Sequence, residues 1–269
     1  MAAPQPSENL FNRVQYKTSK QKTNPFWLEY GFLYQEAEES LVDKAASFDH
    51  AFERALLYGY STLTSTQLNA VSLIRADIVL PEFQGEDDGV ERCMAYDEES
   101  VPFTEELNLI ASNLSMHFLN NFPGALQQAL KALRPGGVFL ATILGEETLH
   151  ELKTACLHAD SEYYGGMRRR IAPAIDIKTA AMLAQKAGFE EVVSDVARLT
   201  VHYPEVQDLL RDLVGMAQDS YILDRVDIIP GKEKYLEALN IQYHERFGKN
   251  EQIPATFDII TITGRKPGR

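Results

Sequence analysis

Cysteine is scarce in this sequence: Cys93 and Cys156 are the only two among 269 residues. They form no CxxC pair and share no ligand spacing with histidine, which excludes a disulfide framework and a zinc cluster and points to a reducing compartment. Positive charge is also short, with 26 Lys+Arg against 39 Asp+Glu and a net charge of −13 at pH 7. A broad nucleic-acid surface needs clustered cations to displace counterions, so that class of partner is excluded. No run of 18 uncharged apolar residues occurs, so no membrane span is expected. Met1 to Asn9 has neither an apolar core nor an Arg-rich amphipathic run, so no cleaved targeting peptide is expected. The setting that fits is a bacterial cytoplasm or, for a processed protein, the mitochondrial matrix. Internal repeats, low-complexity tracts and Ser/Gly/Pro linkers are missing as well. With 45% hydrophobic and 24% charged residues, the chain is expected to fold as one globular unit.

What is present is a rhythm of short apolar segments separated by helical ones. Residues 1–25 are polar, with Lys17, Lys20 and Lys22 interleaved, and read as an exposed basic arm. From Phe26 to Phe52 apolar residues recur at helical spacing. Strand candidates follow at Ala55–Tyr58, Val71–Asp77, Arg92–Tyr96, Leu107–Ser112 and Gly137–Leu144. A helix from Pro123 to Leu133 is expected to stop at Arg134-Pro135-Gly136-Gly137 and turn into the fifth strand. Two β-branched segments, Arg198–Tyr203 and Asp258–Thr263, lie near the end, about fifty residues of helical pattern apart, and the last can insert antiparallel. The alternation predicts an α/β fold with a mostly parallel, doubly wound sheet.

One stretch fits neither sheet nor ordinary connection. Glu146 to Pro173 opens as a helix and ends in Tyr163-Tyr164-Gly165-Gly166-Met167-Arg168-Arg169-Arg170. An insertion after the fifth strand lies at the carboxyl edge of the sheet, where such folds bind ligands. Three consecutive arginines stand out in so acidic a chain, although a solvated turn is the better reading of Arg168 and Arg169. The six histidines show no clustered ligand spacing beyond His150 and His158, so no metal site is expected. Cys156 falls on the apolar side of its helix and reads as a buried thiol.

Several strings, in order, resemble one family. They are Leu10-Phe11-Asn12-Arg13, Asp97-Glu98-Glu99 leading to Val101-Pro102-Phe103, and Ser112-Asn113-Leu114-Ser115-Met116-His117-Phe118 with Asn120. Pro123-Gly124-Ala125-Leu126, Thr148-Leu149 with Glu151-Leu152, Arg170-Ile171-Ala172-Pro173, Tyr203-Pro204 and Pro254-Ala255-Thr256-Phe257 continue the series. Together they resemble the class I methyltransferase-fold family, in the branch of the complex I assembly factors with arginine hydroxylase activity. The malonyl-carrier-protein methyltransferases of biotin synthesis are a more distant likeness. The resemblance implies a seven-stranded Rossmann-like sheet over residues 55–269, preceded by an N-terminal arm and helices over residues 1–54.

It also implies a site for S-adenosylmethionine (SAM). The family's Gly-x-Gly-x-Gly turn falls on Gly59-Tyr60-Ser61-Thr62-Leu63, where only Gly59 is retained and Leu63 is the substitution expected to crowd the ligand. Gly59, Asp77, Asp97, Val101 and Asn113 are the implied cofactor contacts, with Asp77 for the ribose hydroxyls and Asp97 for the adenine amino group. A carboxylate after the second strand can also be a loop or helix-cap residue. His117 is the candidate proton acceptor and Arg170 the candidate substrate or lid contact; a packed histidine is the competing reading of the first. Lys153 replaces a family arginine and loses its bidentate fork. Two functions follow. The chain is a SAM-dependent enzyme acting on a protein partner or a small acyl substrate, with arginine hydroxylation on a respiratory complex I subunit as a related activity; or it is an assembly or binding protein that keeps the fold without the cofactor.

Overall fold

The structure is a computed structural model that describes residues 9–81, 89–223 and 233–268. Seven strands make one sheet: β1 (Phe52–Tyr58), β2 (Ala70–Asp77), β3 (Val90–Ala95), β4 (Leu107–Asn113), β5 (Leu133–Leu144), β6 (Glu190–Tyr203) and β7 (Ile253–Arg265). Their order is β3-β2-β1-β4-β5-β7-β6. β1 to β5 run parallel, and β7 lies antiparallel between β5 and β6. Strand order reverses between β1 and β4, which opens a crevice at the carboxyl ends of those strands.

The central strands are apolar on both faces because both are covered. Ala55, Leu57, Leu109, Ala111, Val138 and Leu140 point to one side and pack with Leu41 and Ala45 of α3 (Phe32–Ala46). Leu56, Tyr58, Ile110 and Phe139 point to the other, against α4 (Phe122–Ala132) and α6 (Ile177–Ala187). Asn121 caps α4 by accepting from the Gly124 N–H at 2.9 Å. Asp176 caps α6 by accepting from Lys178 and Thr179, and Gly188 ends that helix in the left-handed region. Beyond the carboxyl edge, α5 (His150–Tyr164), α7 (Val206–Gly215) and α8 (Glu233–Phe247) form a second apolar cluster with β7.

Three expectations need correcting. Arg134 to Gly137 is not a turn before the fifth strand but its opening: Gly136 N–H donates to the Lys266 carbonyl at 3.1 Å, and Lys266 N–H to the Gly137 carbonyl at 2.8 Å. The long β7 reaches far enough to pair with it. β6 likewise begins at Glu190, well before Arg198, because its first half is an edge strand whose exposed, charged positions hide the β pattern. Thirdly, the described part of the basic arm is not wholly exposed: one face of it is buried. Arg13 to Thr23 form α1, capped by Asn12 on the Gln15 N–H at 3.0 Å, and Tyr16 and Lys20 on it are 0% exposed. The short α2 (Trp27–Tyr30) then leads into α3.

Gly59 closes β1 at φ 97°, and a Cβ there would stand 2.4 Å from the Asn113 carbonyl oxygen. Gly59→Ala is therefore expected to destabilise the fold by about 2 kcal/mol or more through backbone strain and overlap with β4. Urea denaturation of the two proteins measures it.

Candidate functional site: a divided cleft

The crevice at the carboxyl edge has two halves. On the side of β1, β2 and β3, the chain's own N-terminal helix fills it. Main-chain contacts hold the entry to α1 in place: Asn12 N–H donates to the Tyr221 carbonyl at 2.7 Å and Leu223 N–H to the Leu10 carbonyl at 2.9 Å. The Asn120 side chain adds a pair of bonds to the Phe11 backbone, at 2.7 and 3.0 Å. From that anchorage Arg13, Tyr16, Lys20 and Thr23 reach inward, at the three- and four-residue spacing of one helix face.

Lys20 ends beside Asp77, the last residue of β2, with Nζ 2.8 Å from Oδ2 and both side chains 0% exposed. The other oxygen, Oδ1, accepts the Ile78 N–H at 2.6 Å. Burial pulls the Lys20 ammonium below its ordinary range, and Asp77 works against that loss. Arg13 reaches Asp97 after β3, with Nη2 to Oδ1 at 2.9 Å. Both carboxylates that the family resemblance assigns to the nucleoside thus hold cationic side chains of α1.

Tyr60 completes the filling. Its ring stacks on Trp27 at 5.0 Å, its hydroxyl donates to the Lys20 carbonyl at 2.7 Å, and the Lys20 ammonium sits 3.2 Å from its ring centroid. Ser61 and Leu63 do not obstruct the cleft. Leu63 turns into the core with Leu57, Leu68 and Leu73, so the expected crowding comes from Tyr60 instead. The loop is tied from three directions. Glu38 of α3 accepts from the Thr62 N–H and hydroxyl at 2.6 and 2.7 Å. Arg75 donates to the carbonyls of Ser61 and Leu63. Asn113 donates to those of Tyr34 and Tyr60 at 3.2 and 2.9 Å. The Asn113 amide is thereby spent on the backbone, and Val101 packs in the apolar cluster on the α4 face.

These residues do not fit an adenosyl group as they stand. Both oxygens of Asp77 are engaged and out of solvent, and the Lys20 ammonium between Asp77 and the Tyr60 ring takes the place beside them. What remains beside Gly59 is a crevice of about 290 Å³ bounded in part by Trp27, Tyr60 and Pro81.

The second half, beyond β4 and β5, is open: a cleft of about 670 Å³ lies between the 3-10 turn Met116–Phe118, the start of α5, the segment 170–174 and α7. Phe118, Leu149, Leu152, Leu210 and Leu213 make its walls mostly apolar. His117 borders it. Gln218 gives its amide hydrogens to the Tyr34 hydroxyl and the Leu114 carbonyl at 2.8 and 2.9 Å, so its Oε1 accepts from His117 Nε2 at 2.7 Å. That network fixes the Nε2–H tautomer and leaves Nδ1 buried and, among the described residues, without a hydrogen-bond partner. Desolvation lowers the His117 pKa to about 4. Arg170 also borders the cleft, but its guanidinium is held in a fork by buried Asp160, with Nη2 to Oδ1 at 2.7 Å, and lies over the Tyr235 ring at 4.4 Å. It positions the insertion instead of presenting a free charge. Lys153 at the rim donates to the Glu146 carbonyl at 2.7 Å. Cys156 is buried, its thiol pushed up to about 12 by desolvation.

Sequence reasoning placed Gly59, Asp77, Asp97 and His117 around one crevice, and the structure brings them there. It missed Lys20, Tyr16, Tyr34, Gln218 and the buried Glu98, whose carboxyl is raised to about 7 by desolvation and accepts from the Ser112 and Ser115 hydroxyls. The 13/16/20/23 spacing carried a signal for α1. Nothing local marked Gln218, which meets His117 only through the fold. Among the described residues no group of three or more His, Cys, Asp or Glu is placed to hold a metal ion.

The sheet order and the cleft at its reversal define a class I methyltransferase-fold protein. No protein-family model matches the chain. It is, however, similar to the mitochondrial arginine-hydroxylase NDUFAF5 of Danio rerio, at 36% identity over 178 residues, covering 65% of this chain and 55% of that one. The Mus musculus protein of the same name is 29% identical over 269 residues, covering 96% of this chain and 78% of its own. Malonyl-[acyl-carrier protein] O-methyltransferase 1 of Coxiella burnetii is 27% identical over 170 residues, 63% of this chain and 57% of that one. The chain thus spans little more than half the length of the zebrafish and Coxiella relatives. Among solved structures, Bacillus subtilis YcgJ superposes with a TM-score of 0.54 at 13% identity, covering 86% of this chain and 99% of that one. Burkholderia thailandensis 1,6-didemethyltoxoflavin-N1-methyltransferase, solved with S-adenosylhomocysteine, gives 0.52 at 14%, covering 95% and 87%. At such identities the likeness is one of fold.

Two outcomes test this site. Lys20→Met leaves Asp77 buried and unpaired and is expected to cost about 3–5 kcal/mol, whereas Lys20→Met with Asp77→Leu recovers most of it; thermal and urea unfolding read both. The His117 ring is expected to stay neutral until the pH approaches about 4. Because its folded value lies below the unfolded one, its contribution to stability is present above about 6.5 and is lost as pH falls through 4. Proton NMR of the ring checks the midpoint.

Proposed function

We propose that this chain is a partner-binding member of the methyltransferase fold, related to the arginine-hydroxylase NDUFAF5 proteins, that works through its open cleft and not by transferring a methyl group from SAM. The observation that carries this reading is the division of the crevice: Lys20 and Tyr60 occupy the cofactor half, while the other half is open. Methyl transfer depends chiefly on aligning donor and acceptor, so without room for the donor the reaction has no starting geometry. The partner is a protein, as the resemblance to complex I assembly factors implies, held in the bacterial cytoplasm or the mitochondrial matrix. Among the described residues no helix is long and apolar enough to cross a membrane.

A second reading keeps SAM-dependent chemistry. It is favoured by Asp77 and Asp97 standing at the ends of β2 and β3, at the strand-order crevice where this fold holds its ligand. Under it, α1 would have to withdraw Lys20, and Tyr60 would have to turn out of its stack on Trp27.

Titration calorimetry of the full chain with SAM and with S-adenosylhomocysteine separates the two. The first reading expects no heat at micromolar protein with the fold intact by circular dichroism. Micromolar binding that disappears in Asp77→Ala would overturn it in favour of the second.

A further inference from the structure

We infer that the open cleft and the arginine turn beside it form one docking surface for an extended segment of a partner protein, carrying an apolar side chain flanked by carboxylates. This inference rests on the proposed function only in taking the cleft to hold a protein. The turn follows α5, whose last residues and Gly165 leave Met167, Arg168 and Arg169 exposed, Met167 at 72%. Its base is rigid. Asp160 grips the Arg170 fork, accepts from the Arg168 backbone N–H at 3.1 Å and accepts from the Tyr235 hydroxyl at 2.8 Å. Arg168 lies over the Tyr164 ring at 4.8 Å. Among the described residues neither Arg168 nor Arg169 meets a carboxylate, in a chain with 39 acidic side chains. Two cations left unpaired on a fixed base, beside an exposed Met and the half-exposed Tyr163, match the residue types concentrated at protein interfaces.

The chain then runs directly from these arginines into residues 170–174, which line the cleft. Arg168 and Arg169 therefore stand within about 10 Å of its rim, the span of about three extended residues. An occupant that puts an apolar side chain between Leu149, Leu152, Leu210 and Leu213 would carry its acids two or three residues away, on the insertion side. Charge complementarity selects an acidic segment, since a guanidinium pairs with a carboxylate in a bidentate fork.

A displayed library of random twelve-residue peptides, panned against the full chain, is the test. The expected winners carry Leu, Ile, Met or Phe with Glu or Asp two or three residues away, and bind more weakly as salt rises. Arg168→Glu with Arg169→Glu, both on the surface, should weaken the selected peptide at least ten-fold at an unchanged melting temperature. Leu210→Glu should do the same from the cleft side, and its circular dichroism shows whether it folds. Winners without acidic enrichment, no enrichment over bare support, equal affinity for the double variant, or preferential capture of an RNA oligonucleotide would each overturn the inference. SAM binding in calorimetry would sink the proposed function while leaving this panning result readable on its own.

Discussion

The buried pair of Lys20 and Asp77 is the constraint on which the cleft depends. Neither charge has water to solvate it, so each holds the other in place, and the helix that carries the lysine cannot leave without stranding the carboxylate. Tyr60 is held by that pair, with the ammonium against its ring and Trp27 stacked behind it. Arg13 on Asp97 repeats the arrangement one strand further on, in a wetter setting. In this chain the carboxyl edge of β2 and β3 seats a helix.

The far side of the same edge is open. β4 and β5 still end in a cleft with an apolar wall, a neutral histidine and a basic turn at its rim. His117 illustrates how the setting redefines a residue. Gln218 fixes its tautomer, and burial lowers its basicity so far that it accepts no proton at neutral pH. Arg170, similarly, is tied by Asp160 and acts as the fixed end of an arm.

Much of this architecture was legible in the sequence because the central strands are apolar without alternation, and Gly, Pro and Asn mark their ends. β1, β2, β4 and β5 fall where the apolar runs predict them, with bounds that shift where pairing extends a strand into polar residues, as at Gly136 and Glu190. The cleft was legible more coarsely. Gly59, Asp77 and Asp97 lie near it because each follows a strand. What occupies the cleft was hidden, since a Lys-rich polar segment reads as solvated and only tertiary contact buries one lysine of three. Leu63 looked like the obstruction by size alone. The direction of its side chain depends on Arg75 and Glu38 holding the loop, which no local pattern encodes.

The bridge between Leu10–Asn12 and Tyr221–Leu223 has a consequence for how the molecule is made. α1 and the residues leading into it take their partners from residues 77, 97, 118, 120 and 221, so their docking waits until most of the chain has been synthesised. Contacts of such long sequence separation form late and slowly. Until that docking, Asp77 and Asp97 near the crevice stand without the cations that later pair with them. The nascent sheet is for that interval an acidic cup, and the N-terminal segment, Lys17, Lys20 and Lys22 included, is a basic strand still in search of one.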